Sequence, residues 1–452
     1  MIRLPVIPWS HLLGGLILVI MLVPIRRYSL PANLPFQIEL YRLVVAALVV
    51  GWLGSLLVDQ RVSLRRTGFE GPLVVIVGSA IVSVVVNPGR VAETSAEVNK
   101  SLMFLLSFVV VLYLTVSGVR RLADADFVAR CLVLGGVVVS VFAIVEARTG
   151  FNVFNHLAVV LPFLRDVQEV GGFQRLGTAR LRVFASAQHP IALSAALVML
   201  APLAVYLARR TGQARWWLCA LVLGAACASA VSRTGVLMFA VIALVFLWLR
   251  PRETLRLWPA LLAALVLTHV ALPGTLGAIK TSFLPPGGLV AEQHQSADSS
   301  GSGRLADLGP ALERWTHHPL LGEGYGSIIV NIHAGGIDAN IFDNQWLGTL
   351  LATGIVGFAG WAWFFARAIR RFGREARRDP SERGWLLTAI TAGIAAYAVG
   401  MLTFDAFSFI QVTFLMFLLV GLGSVTMRTE SEEATPVAES VSIRRRPVTS
   451  PA

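Results

Sequence analysis

The sequence predicts an all-α integral membrane protein with about twelve transmembrane helices. Of its residues, 56% are hydrophobic and only 14% are charged, whereas soluble domains carry about a quarter charged residues. The apolar residues form runs of roughly 18 to 23, long enough to cross a ~30 Å hydrocarbon layer as helices. Helices are expected because a backbone in lipid must satisfy its own hydrogen bonds, and the alternation typical of a membrane barrel is absent.

The runs predict a polytopic membrane domain over residues 1–428, followed by a polar tail at 429–452. The tail is rich in Glu, Ser, Thr and Pro and is predicted to be disordered. The predicted spans lie near 8–25, 36–58, 69–86, 101–118, 126–146, 188–208, 215–231, 234–250, 257–273, 345–368, 385–402 and 408–426.

The basic residues predict the orientation of the chain. The net charge is +12, and the arginines concentrate in alternate loops, with six of them within residues 370–383. This positive-inside bias places both termini in the cytoplasm. The same bias explains the positive net charge, so a nucleic acid partner is not needed to explain it. Two long loops, about 147–187 and 274–343, then lie outside.

Several outside segments carry arginines against this bias. Arg182 lies in the first long loop, Arg304 and Arg314 lie in the second, and the short turn "SRTG" holds Arg233. Another short outside turn, "TFDAF", holds Asp405. Such arginines either pair with nearby acids, which contributes little at a surface, or bind an anion such as a lipid phosphate.

Residues 301–326, "GSGRLADLGPALERWTHHPLLGEGYG", predict an amphipathic helix that Pro319 ends, followed by a glycine-rich loop for close approach. The helix lies on the membrane surface, or it forms a lid whose polar face looks into a cavity. Its apolar face would carry Leu305, Leu308, Leu312 and Trp315. Its polar face would carry Arg304, Asp307, Ala311, Arg314 and His318.

Four stretches in order resemble the O-antigen ligase and O-antigen polymerase family of bacterial membrane glycosyltransferases. They are "RLRVFASAQHPIALSAALVMLAPLAV" from Arg180, "SAVSRTGVLMFAV" from Ser229, "SGRLADLGPALERWTHHPLLGEGYG" from Ser302 and "DNQWLGTLLATGIVGF" from Asp343. The resemblance implies a helical bundle of the C-type glycosyltransferase group. It also implies transfer of a glycan from a polyprenyl-diphosphate lipid, outside the cytoplasmic membrane, to a glycan or glycolipid acceptor. No metal or other cofactor is implied.

The resemblance also implies roles for single residues. Arg182, Arg233 and Arg304 would stabilise the diphosphate leaving group as its negative charge grows. The alternative for Arg233 is snorkelling to lipid headgroups. Further contacts to the diphosphate or glycan are expected from Arg314, His189 and Asn344.

The acceptor hydroxyl needs a base. Ligases carry a histidine in the dyad before the tenth span, but this chain has Asp343-Asn344 there. Asp343 is the candidate base, or else it caps the following helix, and His318 and His333 are the rival bases. A flippase for the lipid-linked glycan is the alternative function, although few charges lie within the predicted spans.

Overall fold

The computed structural model describes residues 8–31, 38–58, 63–167, 173–174, 181–256, 258–284, 308–328 and 343–433. Within these ranges the chain is mostly helical. The α-helices are α1 (Trp9–Leu22), α2 (Leu40–Val58), α3 (Glu70–Val86), α4 (Pro88–Glu93), α5 (Ser95–Gly118), α6 (Leu122–Thr149), α7 (Leu157–Val160), α8 (Pro190–Thr211), α9 (Ala214–Ser229), α10 (Arg233–Leu249), α11 (Pro251–Leu255), α12 (Trp258–Ala271), α13 (Thr275–Phe283), α14 (Leu308–His317), α15 (Gln345–Arg378), α16 (Glu382–Gly400) and α17 (Ile410–Glu433).

Six of the described helices are long and apolar enough to cross a membrane: α2, α5, α6, α8, α15 and α17 up to Arg428. The helices α1, α3, α9, α10 and α12 are also apolar but have only 10–17 residues. The all-α membrane class is therefore supported by six candidate spans, and the number twelve stays a prediction.

The bundle is organised around α17, whose apolar window is 94% buried. This helix packs against α5, α8 and α16. By contrast, only 22% of α2 is buried, and side chains such as Leu57 and Val58 are exposed on it. Apolar side chains that face outward from a peripheral helix are expected where the surroundings are lipid rather than water.

Two pairs of very short antiparallel strands lie in the segments that connect the helices at one end of the bundle. Strand β1 (Tyr28–Ser29) pairs with β2 (Arg165–Asp166), and β3 (Phe173–Gln174) pairs with β4 (Leu181–Arg182). An ion pair of 2.9 Å between Arg27 Nη2 and Asp166 Oδ2 reinforces the first pair. The long segment between α6 and α8 is thereby tied to the segment between α1 and α2.

Helix α15 is broken near its start. Gly354 has φ 63° and ψ −164°, a conformation that essentially only glycine adopts. The glycine-rich loop after α14 supplies hydrogen bonds at the break. The Glu323 N–H donates to the Leu351 carbonyl at 2.9 Å, and the Ile355 N–H donates to the Pro319 carbonyl at 2.9 Å.

The loop and the break fit only because both contain glycine. A Cβ on Gly322 would lie 2.4 Å from the Leu351 oxygen, and one on Gly354 would lie 2.2 Å from the Leu320 oxygen. The predicted close-approach loop is therefore confirmed. It also explains why "PLLGEGYG" and "TGIVG" occur together, since the two stretches form one packed unit.

Candidate active site at one end of the bundle

The central turn, residues 401–409 between α16 and α17, holds several elements together at one end of the bundle. The Gln345 N–H at the start of α15 donates to the Met401 carbonyl at 2.8 Å. At the start of α10, the hydroxyl of Thr234 lies 2.9 Å from that of Thr403. Residues from distant parts of the sequence therefore meet around this turn.

A cavity of about 280 Å³ opens beside the central turn. Aromatic rings, including Phe104 and Phe407, form part of its wall. The combination of charged, amide and hydroxyl groups with aromatic rings suits a polar organic ligand. The polar lining side chains include Arg26, Glu97, Lys100, Tyr325, Asn344 and Asp405.

Asp405 is the carboxylate of the central turn in this cavity. Its Oδ2 accepts a hydrogen bond from the Ser408 hydroxyl. Burial raises the pKa of Asp405, and the nearby charge of Asp343 raises it further, while Ser408 and Arg26 act in the opposite direction. A carboxylate with a raised pKa is a stronger base than an exposed one, which suits a proton acceptor.

Arg26 follows α1 and presents its guanidinium to the cavity. Its backbone N–H donates to Glu39 Oε2 at 2.6 Å, and Glu39 in turn pairs with Arg42 at 2.9 Å. Its buried Nε has no hydrogen-bond partner among the described residues. Burial lowers the pKa of Arg26, and the charges of Glu39 and Asp405 raise it. Arg26 therefore adds a positive charge with an unused donor to the cavity wall.

A second turn, residues 230–232 before α10, lies near the central turn. The Arg182 Nε donates to the Ala230 carbonyl at 3.2 Å, and Arg233 is the first residue of α10. His189 caps α8 by accepting the Ile191 N–H at 3.1 Å. Its ring stacks on Phe409 of the central turn, with the centroids 5.7 Å apart.

Backbone strain is concentrated at this end of the molecule. In the described part of the chain, the non-glycine residues with positive φ are Arg26 at 68°, Ala185 at 46° and Val231 at 45°. The conformation is least favourable for a β-branched residue such as Val231. Glu146 holds the Ala185 segment by accepting its N–H at 2.9 Å. Strain that the surrounding structure maintains is typical of functional sites.

Arg314 is engaged by a buried carboxylate. Its Nε lies 2.6 Å from Glu323 Oε1, and its Nη2 lies 2.6 Å from Glu323 Oε2. Arg90 Nη1 reaches the same Oε2 at 2.7 Å. The Glu323 side chain is only 5% exposed, so this triad anchors α14 and the glycine-rich loop to α4. An anionic ligand would have to compete with Glu323 for Arg314.

Helix α14 turns the face that carries Arg314 toward the bundle. Ala311 on this face is buried against the first turns of α15. Leu308 and Leu312 remain 41% exposed. His318, just after the helix, is exposed and does not line the cavity.

Asp343 and Asn344, the dyad before α15, differ in their contacts, which decides which of them caps the helix. The Asn344 Oδ1 accepts the Leu347 N–H at 3.2 Å and caps the helix, and Asn344 also lines the cavity. Asp343 is therefore not the capping residue, and it lies near Asp405. Arg304 and His333 lie outside the described residues.

A second, apolar groove lies between α8, α9, α10 and α12. Its volume is about 380 Å³, and Ser232 and Gly235 beside the Arg233 turn form part of its wall. The other lining residues are almost all apolar, including Leu197, Phe246 and Leu265. In the described ranges, no group of three His, Cys, Asp or Glu residues is arranged to hold a metal ion.

Sequence reasoning missed Arg26 and Lys100. A signal for Arg26 exists, because Arg26-Arg27 follows the first span on the side that the charge bias places outside. Lys100 carries a weaker signal, as a charged residue at the edge of an apolar run. No local pattern brings either residue beside Asp405, more than 300 positions away in the chain.

The fold and the site define a helical membrane protein with a polar, strained site at one end of its bundle. Residues 217–362 match the family model described as O-Antigen ligase. This segment, 146 of the 452 residues, is similar to that family and contains Arg233, Arg314 and Asp343. A comparison with curated proteins gives no match. The match, together with the apolar helices, supports a bacterial membrane protein with O-antigen ligase- or polymerase-type activity in general terms.

Proposed function

We propose that the protein transfers a glycan from a polyprenyl-diphosphate lipid to a sugar hydroxyl at the central turn. The proposal rests on one observation: the Arg233 turn, the Asp343-Asn344 dyad and the polar cavity lie together around residues 401–409. A lipid-linked donor needs an apolar path for its tail and cations for its diphosphate. An acceptor needs a polar pocket and a base.

The lipid part of the donor is assigned to the apolar groove between α8 and α12. The groove reaches Ser232 beside Arg233, and Arg182 hydrogen bonds to the same turn. A diphosphate at the end of the groove beside Ser232 would contact the guanidinium groups of Arg182 and Arg233. Guanidinium groups bind phosphate oxygens bidentately. As the glycosidic bond breaks, these fixed charges stabilise the negative charge on the leaving diphosphate.

Arg304 completes the proposed set of diphosphate ligands. Its place in this set rests on the family resemblance of its motif, because Arg304 lies outside the described residues. Arg314 itself is assigned a positioning role through Glu323.

The acceptor sugar is assigned to the 280 Å³ cavity. Asp343 and Asp405 would act as a carboxylate pair in which one member takes the hydroxyl proton. Burial raises the pKa of Asp405, and the nearby charge of Asp343 adds to this effect. Asn344, His189 and Arg26 would orient the sugars and the phosphate, while the exposed His318 is a weaker candidate for the base.

The charge bias supports a location in the cytoplasmic membrane with the cavity on the outer side. The cavity lies at the start of α15, and the arginine cluster lies at its other end. Because cytoplasmic segments carry the excess of arginine, the cluster marks the inner side. Twelve crossings would bring both termini to that side.

The decisive experiment incubates the purified protein in proteoliposomes with a polyprenyl-diphosphate oligosaccharide. Elongation of the oligosaccharide without another substrate identifies a polymerase. Reaction only after a second glycan or glycolipid is supplied identifies a ligase. Movement of unaltered donor across the bilayer, with no transfer to any acceptor, would contradict the proposal and favour the flippase alternative.

A further inference from the structure

A row of arginines lies at the end of α15 opposite the cavity. Arg367, Arg370, Arg371, Arg374 and Arg378 line a groove of about 410 Å³ together with Trp363, Ala366, Glu375 and Met427. Steps of three and four residues place these arginines along one face of the helix. Like charges at such spacing destabilise a helix unless an anion neutralises them. We name this feature the arginine groove.

The described acids near the arginine groove are already engaged. Glu375 lies in the groove but pairs with Arg383 at 2.6 Å. Glu70 accepts hydrogen bonds from the Thr67 hydroxyl and the Gly68 N–H, both at 3.1 Å. In the described part of the chain, no carboxylate forms a salt bridge with the five arginines of the groove.

The arginines do have fixed neighbours that hold the groove open. Arg367 Nε donates to the Gly68 carbonyl at 2.7 Å. Arg371 packs so closely on Gly68 that an added Cβ would lie 2.0 Å from its Nη1. The neutral Gly68 carbonyl orients the guanidinium groups of Arg367 and Arg371, and Glu70 interacts with the charge of Arg371 without forming a salt bridge with it. The groove therefore has a positive charge and a fixed shape that suit an anion.

The length of α15 indicates at which level of the membrane the arginine groove lies. Its 34 residues, broken at Gly354, exceed the about 20 residues that cross the hydrocarbon core. Counted from Gln345, the hydrocarbon core ends close to Trp363, which is 46% exposed. An exposed tryptophan at this level is typical of the membrane interface. The arginines that follow then lie in the headgroup layer.

We infer that the arginine groove binds the phosphate of an acidic phospholipid from the cytoplasmic leaflet. The guanidinium groups hold the phosphate, and the exposed apolar surface beside Trp363 contacts the acyl chains. The inference takes only the orientation from the proposed function and is independent of glycan transfer. The positive-inside bias alone explains arginines at this end, but not their alignment along one groove in which no described carboxylate forms a salt bridge with them.

The test compares two arginines that differ only in their position on the helix. Arg374 lines the groove, whereas Arg377 is exposed on the same segment and does not. Delipidated protein in neutral detergent is titrated with phosphatidylglycerol, cardiolipin or phosphatidylethanolamine, and bound lipid is counted by native mass spectrometry. We expect Arg374→Gln to weaken binding of both acidic lipids about fivefold, and Arg377→Gln to change it less than about twofold.

Equal losses in Arg374→Gln and Arg377→Gln would overturn the inference, because they would indicate diffuse attraction to a charged end. Equal binding of phosphatidylethanolamine and the acidic lipids would also overturn it. Inorganic phosphate serves as the soluble competitor. Displacement of the acidic lipids by millimolar phosphate would assign the groove to a soluble anion instead. Retained thermal melting in both variants verifies that they are folded.

Discussion

The packing of the glycine-rich loop into the break of α15 makes a sharp prediction for Gly354→Ala. This glycine has φ 63° and ψ −164°, and a Cβ would stand 2.2 Å from the Leu320 oxygen. The methyl group therefore forces the backbone out of a conformation closed to alanine and pushes against a carbonyl that cannot rotate away. The loop from Pro319 to Gly324 must shift as a consequence.

Two contributions set the expected magnitude. A non-glycine residue in such a region costs about 1–3 kcal/mol, and overpacking adds about 1–3 kcal/mol. We expect a loss of about 4 kcal/mol in the free energy of unfolding. With ~2.1 cal/mol/K per residue over 452 residues, this corresponds to a fall of about 4 °C in Tm.

The assay is thermal unfolding of the detergent-purified protein, with glycan transfer measured in parallel. Gly78→Ala is the matched control, because Gly78 lies within a neighbouring helix and an added Cβ there meets nothing within 4 Å. The control should melt as the parent does. A Gly354→Ala protein that melts with the control and retains full transfer would refute the proposed rigidity of the loop and the helix break.

The remaining predictions concern charged groups of the site. Asp405→Asn should slow transfer about 10²–10⁴-fold. The parent should lose activity as the pH falls through the raised pKa of Asp405, since the base must be deprotonated. If the variant shows the same loss of activity at low pH, that loss belongs to another group. Arg233→Ala should reduce transfer about 10²–10³-fold, whereas the exposed Arg148→Ala should not, and equal activities would exclude Arg233 from leaving-group stabilisation. Glu323→Gln removes the negative charge that Arg90 and Arg314 share. It should cost about 1–3 kcal/mol after allowance for their partial exposure, measured as a lower Tm; an unchanged Tm would show that the triad is not structural.

Local sequence patterns predicted much of the fold. Apolar runs identified the long helices, and the end of α14 before Pro319 follows from the ring of proline, which a helix interior excludes. The glycines of "LLGEGYGS" predicted close backbone approach, and Gly322, Gly324 and Gly326 indeed have positive φ. These features depend on neighbours within a few residues, and such information is present in a single sequence.

The composition of the candidate site was predictable only in part. Separate motifs predict roles for Arg182 and Arg233, and only the structure shows that Arg182 bonds to Ala230, in the turn just before Arg233. The pairing of Arg314 with Glu323 was not foreseen. A cation on an amphipathic face looks the same in sequence whether a ligand or a buried carboxylate neutralises it. Asn344 rather than Asp343 caps α15 because the cap depends on backbone geometry at a single residue.

The sequence by itself determined that the chain is helical and apolar, which end of each run carries arginine, and where the backbone needs glycine. These properties follow from side-chain hydration and backbone sterics, which act residue by residue. Only the tertiary structure decided that Arg26, Lys100 and Asp405 share a cavity and that a loop repairs the break in α15. Such contacts join positions tens to hundreds of residues apart, and they arise only when the whole bundle packs.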